Sequence, residues 1–216
     1  MKKSVLIFGL ILLFMSCRRR VENYVEFSEN QPVDVEEIQN VPENWFGNYR
    51  SIDSSLISIE KDKIIEKWFS DWKISIKEKD SFPNLTFQKN FVIDNTTNEK
   101  TKLISKNDSL FWKEQYSDTI FIKDKILKLY KDALILNTND EGRIYIDVLK
   151  KENNQIRKFS IDSKEDFEKL KREIKVDFEY KYSNNDTTVI VKPTKSDFRK
   201  ILRKKGYTNE MIYTKI

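Results

Sequence analysis

Residues 133–151 read "ALILNTNDEGRIYIDVLKK". Two runs rich in Leu, Ile and Val flank a polar stretch containing Gly142, a residue that tolerates the positive φ of a tight hairpin turn. The segment predicts a β-hairpin, and its neighbours extend the pattern.

Upstream, from Trp45, short segments follow in close order: "WFGNYRS", "SSLISIE", "KIIEKWF", "WKISIKE", "LTFQKNFVI", "TKLISK", "SLFWKEQYS", "TIFIKD" and "KILKLYK". Most alternate apolar and polar residues, the period of a strand with one buried face. "KISIKE" places Ile74 and Ile76 on one face, and "TIFIKD" does the same for Ile120 and Ile122. Turn residues separate the runs, as in "SIDSS", "EKDK", "DNTTNEK" and "SKNDS". Such spacing predicts an antiparallel meander over residues 44–142, closed as a barrel or stacked as a sandwich.

Residues 143–216 read as ββαββα, either a separate portion or continuous with the meander. Helices are expected near 163–174 and 195–205. Ser163 with Asp166 and Thr194 with Asp197 have capping-box spacing. Phe167, Leu170 and Ile174 form one apolar stripe, and Phe198, Ile201 and Leu202 form another. Gly206 is the expected left-handed residue after the second helix. Hairpin turns are expected at "KENNQ" and "SNNDT". The fold class is therefore α+β, mostly β.

The chain opens "MKKSVLIFGLILLFMSCRRR". Lys2 and Lys3 precede an apolar run from Val5 to Met15, which would span about 16 Å as a helix against the roughly 30 Å of a bilayer core. This length suits a secretory signal. Ser16 before Cys17 resembles the end of a bacterial lipoprotein signal, although Phe14 stands where that family usually carries Leu. The resemblance implies a signal peptide over 1–16 and a lipidated Cys17. It also accounts for the chain's one cysteine, which has no disulfide partner. Residues 17–43, polar, acidic after the arginines and with prolines at 32 and 42, read as a tether. Arg18, Arg19 and Arg20 favour the periplasmic side of the cell membrane or outer membrane.

Two further resemblances follow. Residues 126–155 with "VKPTKSDFRKILRKKGYTNEMIYTKI" look like uncharacterised lipoproteins of Bacteroidetes-type bacteria, a likeness covering roughly residues 105–216 that implies no activity. "NWFGNYRS", through Gly47 and Tyr49, resembles the opening of lipocalin-like barrels and implies a barrel-like or lipocalin-like meander.

Charge is polarised. Residues 150–216 hold eighteen Lys and Arg against eleven Asp and Glu, whereas residues 21–149 carry a net −7. With no histidine, the usual general base and the Ser-His-Asp and Cys-His systems are excluded. The lone cysteine excludes Cys-based zinc and iron–sulfur sites. Four glycines, none in a G-x-G pair, leave no phosphate-cradling loop. No enzyme, metal or cofactor is expected.

Two residue sets are candidate binding elements. Trp45, Trp68, Trp72 and Trp112 lie in the meander. They line a barrel cavity or fill a packed core, the commoner arrangement in small barrels. Arg199, Lys200, Arg203, Lys204 and Lys205 lie along the last helix. They meet anionic lipid or form a solvated face. Nucleic acid is not expected as a partner of an exported chain. The resulting expectation is a lipid-anchored, non-enzymatic binding or interaction module of the bacterial envelope, with an envelope protein as an open class of partner. The alternative is a lipocalin-like carrier of a small apolar or glycan ligand.

Acylation gives the first test. Cys17→Ser should abolish incorporation of labelled fatty acid and move the chain from the membrane to the soluble fraction; unchanged fractionation would refute the anchor.

Overall fold

The computed structural model describes residues 24–122, 125–183 and 186–216. Cys17, the signal segment 1–16 and Arg18–Arg20 lie outside the described residues.

Chain order is β1 (Val25–Phe27), β2 (Gly47–Ser51), β3 (Leu56–Ile59), β4 (Lys63–Ser75), β5 (Leu85–Phe87), β6 (Phe91–Asp94), β7 (Lys100–Lys106) and β8 (Ser109–Ile122). Then come β9 (Ile126–Tyr130), β10 (Ala133–Asp140), β11 (Arg143–Glu152) and β12 (Gln155–Ser160). Helix α1 (Lys164–Lys169) continues as a π-helical turn, Leu170–Ile174. After it follow β13 (Asp177–Ser183), β14 (Asp186–Lys192), α2 (Lys195–Lys204) and β15 (Met211–Lys215).

The hairpin of residues 133–151 is β10 and β11, in register from Ala133↔Lys150 to Asp140↔Arg143. Glu141 and Gly142 have φ of +54° and +83°, both positive as in a type I′ turn. β11 is the branch point of a large mixed, mostly antiparallel sheet. One edge pairs with β10, which pairs with β9. The other edge pairs first with β1, at Ile144, and then with β12. From β1 the sheet runs through β14, parallel to β1, to β13. From β12 it runs through β15, β2, β3, β4, β8, β7 and β6 to β5.

β10 buries every residue from Ala133 to Asn137. Its side chains alternate between two cores. Ala133 and Ile135 join Val25, Phe27, Val148, Val189 and Val191 beneath the two helices. Leu134 and Leu136 join Tyr49, Ile57, Ile64, Phe121, Ile156 and Tyr213, around which the sheet curls. A run apolar at successive positions is what a strand covered on both faces requires.

The barrel expectation is corrected: the sheet stays open. Among the described residues no ladder joins β8 to β9, the strands where closure would fall. The outer edge of β9 is already taken, because Glu37 bridges Lys128 and the Ile38 amide donates to the Leu127 carbonyl at 2.8 Å. The segment doing this belongs to the expected tether, which is folded from Tyr24 onward. The Gln31 amide donates to Asn137 Oδ1 at 2.6 Å, and Asn137 Nδ2 donates back to the Gln31 carbonyl at 2.9 Å. Lys128 Nζ donates to the carbonyls of Asn30 and Pro32, both at 3.0 Å. Buried backbone groups need partners, and here they come from side chains about a hundred residues away. No local pattern in a polar stretch can reveal that.

The meander also has fewer breaks than expected. "KIIEKWF" and most of "WKISIKE" form the single strand β4, which ends at Ser75 rather than carrying Ile76. Ser75 caps a short 3₁₀ turn, Ile76–Ser81. "SLFWKEQYS" and "TIFI" likewise form β8. A bulge, where Ile64 opposes Phe121 and Ile65 opposes Thr119, buries both Ile120 and Phe121 and leaves Ile122 exposed. β4 and β8 run beyond the curled core as a two-stranded arm. At its far end β5–β7 enclose a third small core of Ile74, Val92, Leu103, Leu110 and Trp112.

The ββαββα order stands, with β15 added. Both capping boxes form: the Asp166 amide donates to Ser163 Oγ and the Asp197 amide to Thr194 Oγ1, each at 3.1 Å. One detail differs. The positive φ after α2 falls on Lys205, at +52°, not on Gly206. Gly206 serves a close approach, since a Cβ there would lie 3.1 Å from Leu170 Cδ2 and 3.2 Å from Ile201 Cα.

Phe198, Ile201 and Leu202 are buried in the helix-side core, while Arg203 is exposed. Phe198→Ala should cost about 3–5 kcal/mol in a urea melt, from lost burial plus a cavity. Arg203→Ala should cost less than about 0.5 kcal/mol.

Candidate functional site

The four tryptophans do not share a cavity. Trp45 closes a short 3₁₀ turn and is buried in the curled core, where its carbonyl accepts the Tyr49 hydroxyl at 2.9 Å. The interior that a lipocalin-like ligand would occupy is filled by Trp45, Tyr49, Phe121 and Tyr213, each no more than 2 % exposed.

Trp68, Trp72 and Trp112 converge on one face of the arm. Residues two apart on a strand share a face, so Trp68, Ser70 and Trp72 of β4 line up. They lie directly opposite Tyr116, Glu114 and Trp112 of β8. Trp68 and Tyr116 are near-parallel, with ring centroids 6.0 Å apart. Trp72 and Trp112 are parallel within 6°, at 5.6 Å. The two aromatic pairs are four residues apart along the strand, about 13 Å. Between them lies the polar pair Ser70 and Glu114, and Tyr116 donates to Glu114 Oε2 at 2.5 Å. Trp112 is buried against the edge of the Phe87 ring, 5.7 Å away, which fixes that end of the row. Trp68 and Trp72 remain 38 % and 37 % exposed. On the opposite face Lys113 lies 5.2 Å from the Phe69 ring and Lys73 lies 5.7 Å from the Phe111 ring. The aromatic residues of the meander, Tyr116 among them, stand out in the sequence, but Ser70 and Glu114 do not. Only the strand register puts them on the tryptophan face.

A second concavity of about 310 Å³ lies between β12, the start of α1 and β15, lined by Glu66, Lys158, Ser160, Asp162, Asp166 and Glu210 among others. It adjoins a shallow region of about 700 Å³ that includes Arg50, Ile52, Met211 and Ile216. Most of its carboxylates serve the fold. Glu66 pairs with Lys158 and accepts the Tyr213 hydroxyl at 2.6 Å. Asp166 Oδ1 accepts the Thr208 amide and hydroxyl at 2.6 and 2.8 Å. Glu210 pairs with Arg157 at 2.7 Å. Burial opposes ionisation of Glu210, but Lys205, Tyr207 and Arg157 outweigh it and hold the carboxyl below the usual range. Burial, followed by the Glu66 hydrogen bond and charge, pushes the Tyr213 phenol up. Asp162 is different. Burial first, then the charges of Asp166 and Asp147, push its carboxyl above the ordinary aspartate range. Ser160 donates to Asp147 Oδ1 at 2.6 Å. Among the described residues no group of three or more Asp, Glu or Cys is placed to hold a metal ion.

The basic residues of α2 form its outer face. Arg199, Arg203, Lys204 and Lys205 are exposed, and half-buried Lys200 pairs with Asp197 at 2.8 Å. Lys205 also reaches Glu210 at 3.3 Å. Among the described residues no helix is long and apolar enough to cross a membrane.

The raised Asp162 carboxyl makes a signed prediction. The folded state holds that proton more tightly than the unfolded chain does, so this residue's contribution is most favourable in acid. It turns unfavourable as pH rises through the folded value. Asp162→Asn should therefore raise the melting temperature near pH 7, and the gain should shrink toward pH 4. Thermal melts at the two pH values measure this.

No family model, curated protein or solved structure matches the chain.

Proposed function

We propose that this chain is a non-enzymatic binding module of the bacterial envelope, held to the membrane through Cys17, and that its arm is the binding element for a glycan. The observation that carries this reading is the face on which exposed Trp68 and Trp72, each stacked on a cross-strand ring, flank Ser70 and Glu114. Flat aromatic surfaces offer large contact area at low entropic cost, and a few fixed polar groups supply orientation. Sugar rings present both partners at once: C–H faces for the rings and hydroxyls for Ser70 and Glu114. A face about 13 Å long suits two or three sugar units. The arm's position supports the same reading, since its middle leaves the packed body and meets no second layer.

A glycan array probed with the full chain, including fragments of bacterial cell-wall glycan, tests the proposal. Wild type should bind a defined subset. Trp68→Ala and Trp72→Ala should each weaken that binding by about tenfold, the scale of one lost stacking contact. Both tryptophans are more than a third exposed, so the packed body should stay folded, and Trp68→Phe and Trp72→Phe, which keep a flat ring in each cross-strand pair, should retain most of the binding. An array signal equal in wild type and the double variant would refute the arm as the site.

A further inference from the structure

The far end of the sheet from the arm is β13, "DFEYKYS", residues 177–183, whose one ladder partner among the described residues is β14. Its backbone polarity follows from bonds on the other side of β14. The Val189 amide donates to the Tyr24 carbonyl at 2.8 Å, and the Ser28 amide donates to the Val191 carbonyl at 3.1 Å. Val189 and Val191 thus face β1, so their antiparallel partners Tyr180 and Phe178 point their own N–H and C=O groups away from β14. The same parity holds for Tyr182. The open edge presents hydrogen-bonding groups at Phe178, Tyr180 and Tyr182.

These three residues also form an aromatic row. Phe178 packs edge-on against Phe167 at 4.9 Å, Tyr180 lies 5.4 Å from Phe178, and Tyr182 lies 6.2 Å from Tyr180. Exposure rises along the row, from half-buried Phe178 to 41 % at Tyr180 and 76 % at Tyr182. Glu179 and Lys181 alternate with them on the opposite face, each side chain 53 % exposed.

We propose that β13 pairs antiparallel with β13 of a second copy of this chain, on a two-fold axis at Tyr180. Charge complementarity selects both occupant and register. With Tyr180 opposite Tyr180, Glu179 of each copy faces Lys181 of the other, and Phe178 faces Tyr182. A slip of two residues keeps the hydrogen-bond parity but sets Glu179 against Glu179 or Lys181 against Lys181. A slip of one residue opposes outward backbone groups to inward ones. The centred register satisfies both constraints. Glu179 and Lys181 occupy the non-hydrogen-bonded positions, where facing side chains come closest. Their present partners, Lys192 at 2.5 Å and Glu26 at 3.8 Å, leave both more than half exposed to a new one. Exposed pairs add little energy, so the charges set register while backbone bonds and the joined aromatic rows hold the copies together.

Analytical ultracentrifugation of the full chain tests this. An interface of one strand pair is small, so the expected dissociation constant is on the order of 10–100 µM. Glu179→Lys or Lys181→Glu alone places like charges at both symmetric positions and should weaken the dimer by about tenfold or more. The double variant Glu179→Lys with Lys181→Glu should return to within about threefold of wild type. Exposed positions leave the fold intact, which circular dichroism checks. A wild type that stays monomeric at ten times the expected constant would overturn the proposal, as would single variants that dimerise normally or a double variant that stays weak.

Discussion

The two-sided burial of β10 is the constraint on which the rest of the structure depends. Ala133 and Ile135 belong to the helix-side core, and Leu134 and Leu136 to the curled core. One short strand is therefore the wall between two hydrophobic interiors. Leu134, Ile135 and Leu136 each contribute about 1.5–3 kcal/mol when fully buried. The helices must cover one face and the curled strands the other. The branching at β11 follows, because one edge strand cannot serve both bodies: β12 leads the sheet around one core and β1 leads it over the other.

The arm is the counterpart of that wall. β10 is apolar at successive positions, whereas the middle of β4 and β8 meets no second layer. A ribbon covered on neither face can be stabilised only by its own cross-strand pairs. The aromatic pairs Trp68–Tyr116 and Trp72–Trp112, with lysines over Phe69 and Phe111 behind them, are such pairs. Trp68 and Trp72, which help to stiffen the arm, are thus also the rings it displays. This dual use holds the exposed rings in place, apart from the charged network that ties β4, β12 and β15 together.

That network shows where polar residues serve structure. Glu66, Lys158 and Tyr213 join strands distant in sequence, and the Asp166 carboxylate accepts the Ser163 amide at the start of α1 as well as the Thr208 amide. Lys128 and Asn137 perform the same task for residues 30–32. Each supplies a buried partner for a group that would otherwise be costly to leave unpaired.

Local chemistry was legible in the sequence wherever a short window holds the whole cause. The β10–β11 hairpin follows from two apolar runs and the Gly142 between them. Both capping boxes follow from residue types three apart, and the inward stripe Phe198, Ile201 and Leu202 follows from helical period. The mostly-β class follows from the same windows. Tertiary structure alone decided the rest. Closure failed because Glu37 and Ile38 occupy the β9 edge, a contact between residues about ninety positions apart. Residues 24–43 joined the fold because Asn137 and Lys128 capture their backbone, although their composition is that of a linker. Gly206 answers the approach of Leu170 rather than a cap. Trp45 and Trp68 differ little as residues in a pattern, yet one fills a core and the other lies on an open ribbon. Their separation is fixed by strand register and by which strands find a second layer. Those are properties of contacts between distant segments, which periodicity along the chain does not encode.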